Sequence, residues 1–314
     1  MDAARFLRPS ARGRVPAAAT IFLFTLTALR CGHSQVPLPR VPAPEAGDAS
    51  VARGEYLVRN VAVCGGCHSA DAKNPDGALA GGKEFRNWRI GVARASNLTS
   101  DADTGIGGWT DAELVRAIRN GVRRDGRLLA PVMPYEWFHE LSDADAFAIA
   151  RYLKTLPPVR AEVRQSPNVI FRIGKVLFLR PKPELAVAST PAGANAAYGA
   201  YLTQHAALCA ECHTPRTGLL QKPDRSRLLA GVPKPPADFP ARPSNLTPDS
   251  ETGIGRWSEA DFLRAIRTGK DPEGNAIHPF MPWPELKRMT DDDLRAIYAY
   301  LRTLPPTHTA GIDE

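Results

Sequence analysis

Apolar residues in this chain recur at helical spacing, and they do so twice in the same order. Leu114 with Ile118, and Phe262 with Ile266, stand four residues apart, which places each pair on one face of a helix. Just ahead of them, Thr110-x-x-Glu113 and Ser258-x-x-Asp261 predict capping boxes, and Gly121 and Gly269 suit the far ends. A second pair of stripes, Ile149 with Leu153 and Ile297 with Leu301, predicts a last helix in each copy. Those helices begin at Ser142 and Thr290 and are stopped by Pro157-Pro158 and Pro305-Pro306. Short Ala-rich stretches at 52–63 and 196–208 predict helical lead-ins. No convincing strand series accompanies them, so the expected fold class is all-α.

The recurrence is a sequence repeat. Residues 96–118 read SNLTSDADTGIGGWTDAELVRAI, and residues 244–266 read SNLTPDSETGIGRWSEADFLRAI. The offset of 148 persists to Met133-Pro134 against Met281-Pro282, and to YLKTLPP against YLRTLPP. Upstream the offset is 145, with Gly54-Glu55-Tyr56-Leu57 against Gly199-Ala200-Tyr201-Leu202. A duplicated module follows, with one domain at 51–160, a second at 195–308 and a linker at 161–194.

The N-terminus breaks the pattern. A basic stretch to Arg14 precedes a mostly apolar run from Ala17 to Leu29, shorter than the ~20 residues of a membrane span and suited to a secretory h-region. Residues 1–34 are therefore expected to be a signal peptide or an N-terminal anchor, followed by a Pro/Ala-rich tether at 35–50. Cys31 suggests lipidation, but Ala28-Leu29-Arg30 before it is a poor lipobox. The expected location is periplasmic, with membrane association through the N-terminus as an alternative to a soluble form. Hydrophobic residues at 43% and charged residues at 23% exclude wholesale disorder and a polytopic membrane protein. Of the net charge of +7, +3 lies in residues 1–50, and the remainder forms no basic patch, which argues against nucleic acid.

The chemistry sits in the cysteines. Cys64-Gly65-Gly66-Cys67-His68 and Cys209-Ala210-Glu211-Cys212-His213 are both C-x-x-C-H, the pattern of c-type haem attachment. Two thiols one helical turn apart can each form a thioether to a porphyrin vinyl group, and the histidine can coordinate the iron. A disulfide, a redox dithiol or half a zinc site is the competing reading of one such motif. Two copies at equivalent points of a repeat, behind an export segment, favour two covalently attached haem c groups.

Each iron then needs a second axial ligand. Of four methionines, Met133 and Met281 occupy matching positions before proline, and a thioether ligand raises a haem potential. The metal ligands expected are thus His68, Met133, His213 and Met281. His278, three residues before Met281, is the rival in the second module, while His139 and His205 are expected to be structural. The Gly-rich SNLT…TGIG…W segments are expected to wrap the cofactor, with Trp109 and Trp257 near its propionate edge and Asn97, Thr99, Asn245 and Thr247 hydrogen bonding there. Turn formation and helix entry are the equal alternative for these residues. A calcium loop at Asp101-x-Asp103-x-Gly105 fails because Ala112 stands where an acid is required.

The order C-x-x-C-H, SNLT-x-D-x-x-TGIG-x-W, M-P and YL-x-TLPP resembles the multihaem cytochrome c subunits of bacterial periplasmic alcohol, aldehyde, gluconate and sorbitol dehydrogenases. The resemblance covers about residues 50–307, although those subunits usually carry three such domains and this chain has two. It implies two tandem cytochrome c domains, His68 and His213 as proximal ligands, and Met133 and Met281 as distal ones. It implies a periplasmic dehydrogenase as electron donor and a cytochrome, quinone or terminal oxidase as acceptor, with no catalytic residues in this chain. Segment 168–180 resembles an inter-domain linker, which implies that Val169, Ile173, Val176 and Leu177 pack between the modules while Arg172, Lys175 and Arg180 face out. The alternative is a dihaem peroxidase or sulfur-compound dehydrogenase with one exchangeable haem site. A haem-based sensor would need an output domain that the repeat leaves no room for.

Overall fold

The computed structural model describes residue 44 and residues 47–312, except 70, 72, 73, 75, 89, 219, 220 and 236–238. The expected export segment at 1–34, with Cys31, and most of the tether lie outside the described residues.

The first repeat opens with α1 (Asp48–Tyr56), which runs directly into a π-helical turn, Leu57–Val61. Then come α2 (Gly65–His68), strands β1 (Glu84–Asn87) and β2 (Gly91–Arg94), and helices α3 (Asp111–Asn120), α4 (Tyr135–Phe138) and α5 (Asp143–Thr155). Strand β3 (Ser166–Pro167) and helix α6 (Val169–Phe178) lead to the second repeat. There the order recurs as α7 (Ala196–Tyr201), a π-helical turn (Leu202–Ala206), α8 (Cys209–His213), β4 (Arg216–Thr217), β5 (Lys222–Pro223), α9 (Glu259–Thr268), α10 (Trp283–Leu286) and α11 (Asp291–Leu301).

Among the described residues the chain is helix-rich, with two small sheets that the all-α expectation did not contain. Strands β1, β2 and β3 pair antiparallel in that order, with Phe85 opposite Ala93 and Val92 opposite Ser166; β4 and β5 form a separate antiparallel pair. Strands of two to four residues are too short to leave a two-residue periodicity in the sequence. The helix ends follow local rules. Thr110 with Glu113 and Ser258 with Asp261 close capping boxes, while Ser142 and Thr290 accept amides three residues on. Gly121 and Gly269 terminate α3 and α9 in the left-handed conformation.

Helix α1 packs on α5, and α7 packs on α11. A Cβ on Gly54 would lie 2.0 Å from the Ala148 carbonyl oxygen, and one on Gly199 would lie 1.8 Å from that of Ala296. Both crossings therefore need glycine. Leu57, Val58, Trp137, Leu202, Leu294 and Leu301 belong to one continuous core that runs through both repeats.

The repeats dock reciprocally. The two π turns touch each other, the first also meets α10, and the second meets α4. Tyr56 Oη donates to Asp293 Oδ2 at 2.5 Å and accepts the Thr290 amide at 3.0 Å. Its counterpart Tyr201 donates to Asp145 Oδ2 at 2.7 Å and accepts the Ser142 amide at 3.3 Å. Each tyrosine thus reaches the start of the other repeat's last helix. Arg53 grips Asp145 with two 2.9 Å bonds and reaches Tyr198, its own equivalent, at 3.1 Å. Equivalent residues meeting in this way is the mark of a pseudo-twofold contact.

Segment 161–194 is held on the first repeat. Beyond the β2–β3 pairing, Asn120 and Arg119 donate to the carbonyls of Lys182, Pro183 and Leu185. Helix α6 corrects an expectation: Val169, Ile173, Val176 and Leu177 are exposed rather than packed between the repeats. Lys175 faces inward instead, donating to the Leu128 carbonyl at 2.6 Å, while Arg172 and Arg180 are exposed as expected. The amphipathic stripe predicts that the helix has an apolar face but not what lies against it.

Candidate haem sites

Each C-x-x-C-H motif is launched by the same backbone device. In each repeat a π turn ends two residues before Val63 or Leu208, which take φ of 49° and 56°. A non-glycine residue in the left-handed region is uncommon, and for β-branched Val63 it is strained, so the surrounding packing must enforce it. The chain then turns sharply into α2 or α8. Cys64 and Cys67 are joined by the Cys67 amide to Cys64 carbonyl bond of 3.2 Å, and His68 donates its amide to the same carbonyl at 2.8 Å.

The histidines are fixed from behind. His68 Nδ1 lies 2.8 Å from the Ser96 carbonyl, and His213 Nδ1 lies 2.7 Å from that of Ser244. A carbonyl only accepts, so Nδ1 carries the proton and the Nε2 lone pair is left for a metal. Burial lowers both imidazoles below their ordinary pKa, against the opposing pull of those carbonyls, and keeps them neutral. Glycine allows the approach. Gly81 (φ 78°) and Gly231 (φ 79°) donate their amides to the carbonyls of His68 and His213. A Cβ on either would come within 3.0 Å of the backbone of Ser96 or Ser244. Sequence reasoning missed Ser96, Ser244, Gly81 and Gly231. The serines stand in the repeated SNLT motif, but it is their backbone, not their side-chain type, that acts.

The four thiols are free cysteines. Burial pushes Cys64, Cys209 and Cys212 up to about 12, and raises Cys67 as well. A redox dithiol needs a lowered thiol pKa, so that reading loses its support. Among the described residues no three His, Cys, Asp or Glu side chains gather to hold a metal ion, which leaves half a zinc site without its other half. After burial, Glu211 and Cys209, Cys67 also helps raise Cys212, so the two motifs stand within electrostatic reach of each other across the repeats.

Met133 and Met281 sit in superimposable turns. Pro134 and Pro282 have φ/ψ of −79°/45° and −78°/45° and begin α4 and α10. The amides of Tyr135 and Trp283 donate back to the methionine carbonyls at 2.8 Å in both copies. Both methionines are half-buried against the core. The other histidines are differently engaged. Exposed His278 accepts the Phe280 amide at Nδ1, 3.1 Å away. His139 Nδ1 is 3.3 Å from the Arg119 carbonyl, and His205 Nδ1 is 3.0 Å from that of Trp137.

The SNLT loops are clamped to their own repeats. Asn97 donates to Thr104 Oγ1 and to the Val159 carbonyl, and its Oδ1 accepts the amide and hydroxyl of Thr99. Asn245 does the same with Thr252, Thr307 and Thr247. Their hydrogen bonding ties the loop to the chain just past α5 or α11. Trp109 and Trp257 are half-buried and pack on the core. Reduced thiols paired at helical spacing, a neutral histidine with a free Nε2 and a thioether in each repeat are a donor set that fits haem c.

The chain is similar to known proteins. The family model described as Cytochrome c matches residues 196–305. The chain is 31% identical over 303 residues to the fructose dehydrogenase cytochrome subunit of Gluconobacter japonicus, covering 91% of this chain and 59% of the relative. It is 32% identical over 280 residues to the cytochrome c subunit of the quinone-dependent alcohol dehydrogenase of Gluconobacter oxydans, covering 84% and 56%. It is 30% identical over 276 residues to a protein of Cereibacter sphaeroides described as a diheme cytochrome c-type, covering 85% and 89%. The chain therefore spans less than two thirds of the two dehydrogenase subunits and most of the diheme relative.

Proposed function

This chain belongs to the cytochrome c family, and we propose that it is a dihaem relay passing single electrons from an exported dehydrogenase toward the respiratory chain. The observation that carries this reading is the matched pair of histidines, each with Nδ1 tied to a serine carbonyl and Nε2 free. A haem c held at each motif supplies reversible one-electron chemistry.

The chain's own residues set the conditions for it. Cys64 and Cys67, and Cys209 and Cys212, would anchor the two groups through thioethers, and His68 and His213 would bind iron through Nε2. Met133 and Met281 would be the further ligands to the iron, which would leave a substrate little room to bind there. Ligands on short rigid turns move little between oxidation states, and this suits a relay better than an enzyme. Contact between the two π turns supports exchange between the sites, because each turn leads directly into its motif. The offset repeats and the matching element order support two tandem helical cytochrome c domains, at 51–160 and 195–308, joined by 161–194.

The likeness to dehydrogenase cytochrome subunits supports a periplasmic dehydrogenase as donor, and a cytochrome, quinone or terminal oxidase would accept. Residues 1–34 would direct export or anchor the chain; among the described residues no helix is long and apolar enough to cross a membrane.

Potentiometric titration of the holoprotein tests the relay. Two one-electron transitions are expected; Met133→Ala should lower one and Met281→Ala the other, because a thioether ligand raises the potential. Carbon monoxide binding or peroxide turnover by the unmodified protein would favour a dihaem enzyme instead.

A further inference from the structure

The two repeats carry different charge beside their cysteine motifs, and we propose that Arg59 and Lys83 make the first repeat's haem the higher-potential one. Electrons then run from the second repeat to the first. This order rests on the dihaem relay proposed above and adds its direction.

The contrast is clear because the surrounding structure matches. Arg59 Nε donates to the Tyr152 hydroxyl at 2.9 Å, and Gln204 Nε2 donates to the Tyr300 hydroxyl at 2.9 Å. Arg59 and Gln204 are equivalent at the offset of 145, and the two tyrosines at the offset of 148. The same hydrogen bond therefore carries a cation in one repeat and a neutral amide in the other. Arg59 follows Val58, whose carbonyl accepts the Cys64 amide at 3.0 Å, so its backbone is tied to the motif. Lys83 adds a second cation. Its Nζ donates to the carbonyl of Gly66, inside C-x-x-C-H, at 2.6 Å. Lys83 lies two residues after Gly81, and its counterpart two residues after Gly231 is the uncharged Pro233.

Counter-charges leave this difference standing. In the groove beside Arg59, Asp76 is held by Arg288 through bonds of 2.7 and 2.9 Å, and Glu55 is exposed. Among the described residues Lys83 has no acidic partner. In the second repeat Glu211 stands where the first has Gly66, and its carboxylate takes Arg216 at 2.5 Å, so those two charges offset each other. The thiols experience the same fields. Burial, the largest influence, raises all four; behind it and Cys67, Arg59 pulls Cys64 down, and Lys83 pulls Cys67 down. At Cys212 the order is reversed, with Glu211 pushing up ahead of the pull from Arg216.

A nearby cation favours the reduced form of a haem, because reduction adds an electron to the site. An electron passed from the second site to the first oxidises one iron and reduces the other, with no bond broken and no proton moved. The dehydrogenase would then deliver electrons to the second repeat, and the acceptor would draw them from the first.

Spectroelectrochemical titration of the full-chain holoprotein tests this order. Arg59→Gln should lower the upper transition by about tenfold in its equilibrium constant, which is ~59 mV for one electron, and shift the lower one much less. The second repeat shows that glutamine can make the tyrosine bond, so this variant should fold. Arg59→Lys keeps the charge and should keep the potential, which a purely structural role would not predict. Gln204→Arg should raise the lower transition by a similar factor. Lys83→Gln should lower the upper transition independently of Arg59. An unchanged methionine-to-iron band in each variant separates lost charge from a lost ligand. The order is overturned if Arg59→Gln and Lys83→Gln act on the lower transition, or shift neither. A single haem per chain would remove the relay and this order together, whereas two reversible transitions in the opposite order would overturn the order alone.

Discussion

Tyr56 and Tyr201 do the same work in opposite directions, yet their energetics differ. Asp145 keeps its two bonds to Arg53 if Tyr201 is lost, whereas Asp293 has no arginine at the equivalent place, which is Tyr198. Tyr56→Phe should therefore cost about 1.5–3 kcal/mol, as for a bond to a charged group, and Tyr201→Phe about 1 kcal/mol. Thermal unfolding of the two variants checks the order. Burial, then Asp293 for Tyr56 and Asp145 for Tyr201, holds both phenols above the ordinary tyrosine pKa of 10.0. A raised folded-state pKa means that the unfolded chain releases these protons first. The contribution to stability is complete below pH 10 and is lost as pH rises beyond it. The thermal midpoint should fall steeply above about pH 10, and less steeply in the Tyr56→Phe, Tyr201→Phe double variant.

Among the elements, the helix crossings carry the plainest prediction. Alanine in a helix ordinarily improves on glycine by about 1 kcal/mol. At Gly54 and Gly199 the sign should reverse, with Gly199→Ala destabilising by about 1–3 kcal/mol because its methyl meets the Ala296 carbonyl. A raised thermal midpoint for Gly199→Ala would refute the close crossing. What the sequence made legible at this scale was local. The Thr110 and Ser258 capping boxes, the Gly121 and Gly269 ends and the proline stops depend on residues within one turn of each other. What it hid was non-local. Ser96 and Ser244 act through carbonyls that any residue type would supply, and Gly81 and Gly231 matter only because those carbonyls lie opposite. Strands as short as β3 leave no period, and the stripe on α6 looks the same whether it faces a neighbouring repeat or solvent.

Across the whole molecule, the repeat offset identified equivalent residues but not how the copies meet. Docking emerges only when Tyr56 is seen at Asp293, Tyr201 at Asp145, and one core running through both copies. This arrangement brings the two cysteine motifs toward each other, and the proposed relay rests on it. The most direct test is to count haem per chain in protein made with haem-maturation machinery, and to record its near-infrared absorption in the oxidised state. The account predicts two haems per chain, both low-spin with methionine-to-iron charge-transfer bands, and half of that intensity lost in each of Met133→Ala and Met281→Ala. A single haem per chain, or a high-spin haem in the unmodified protein, would contradict it.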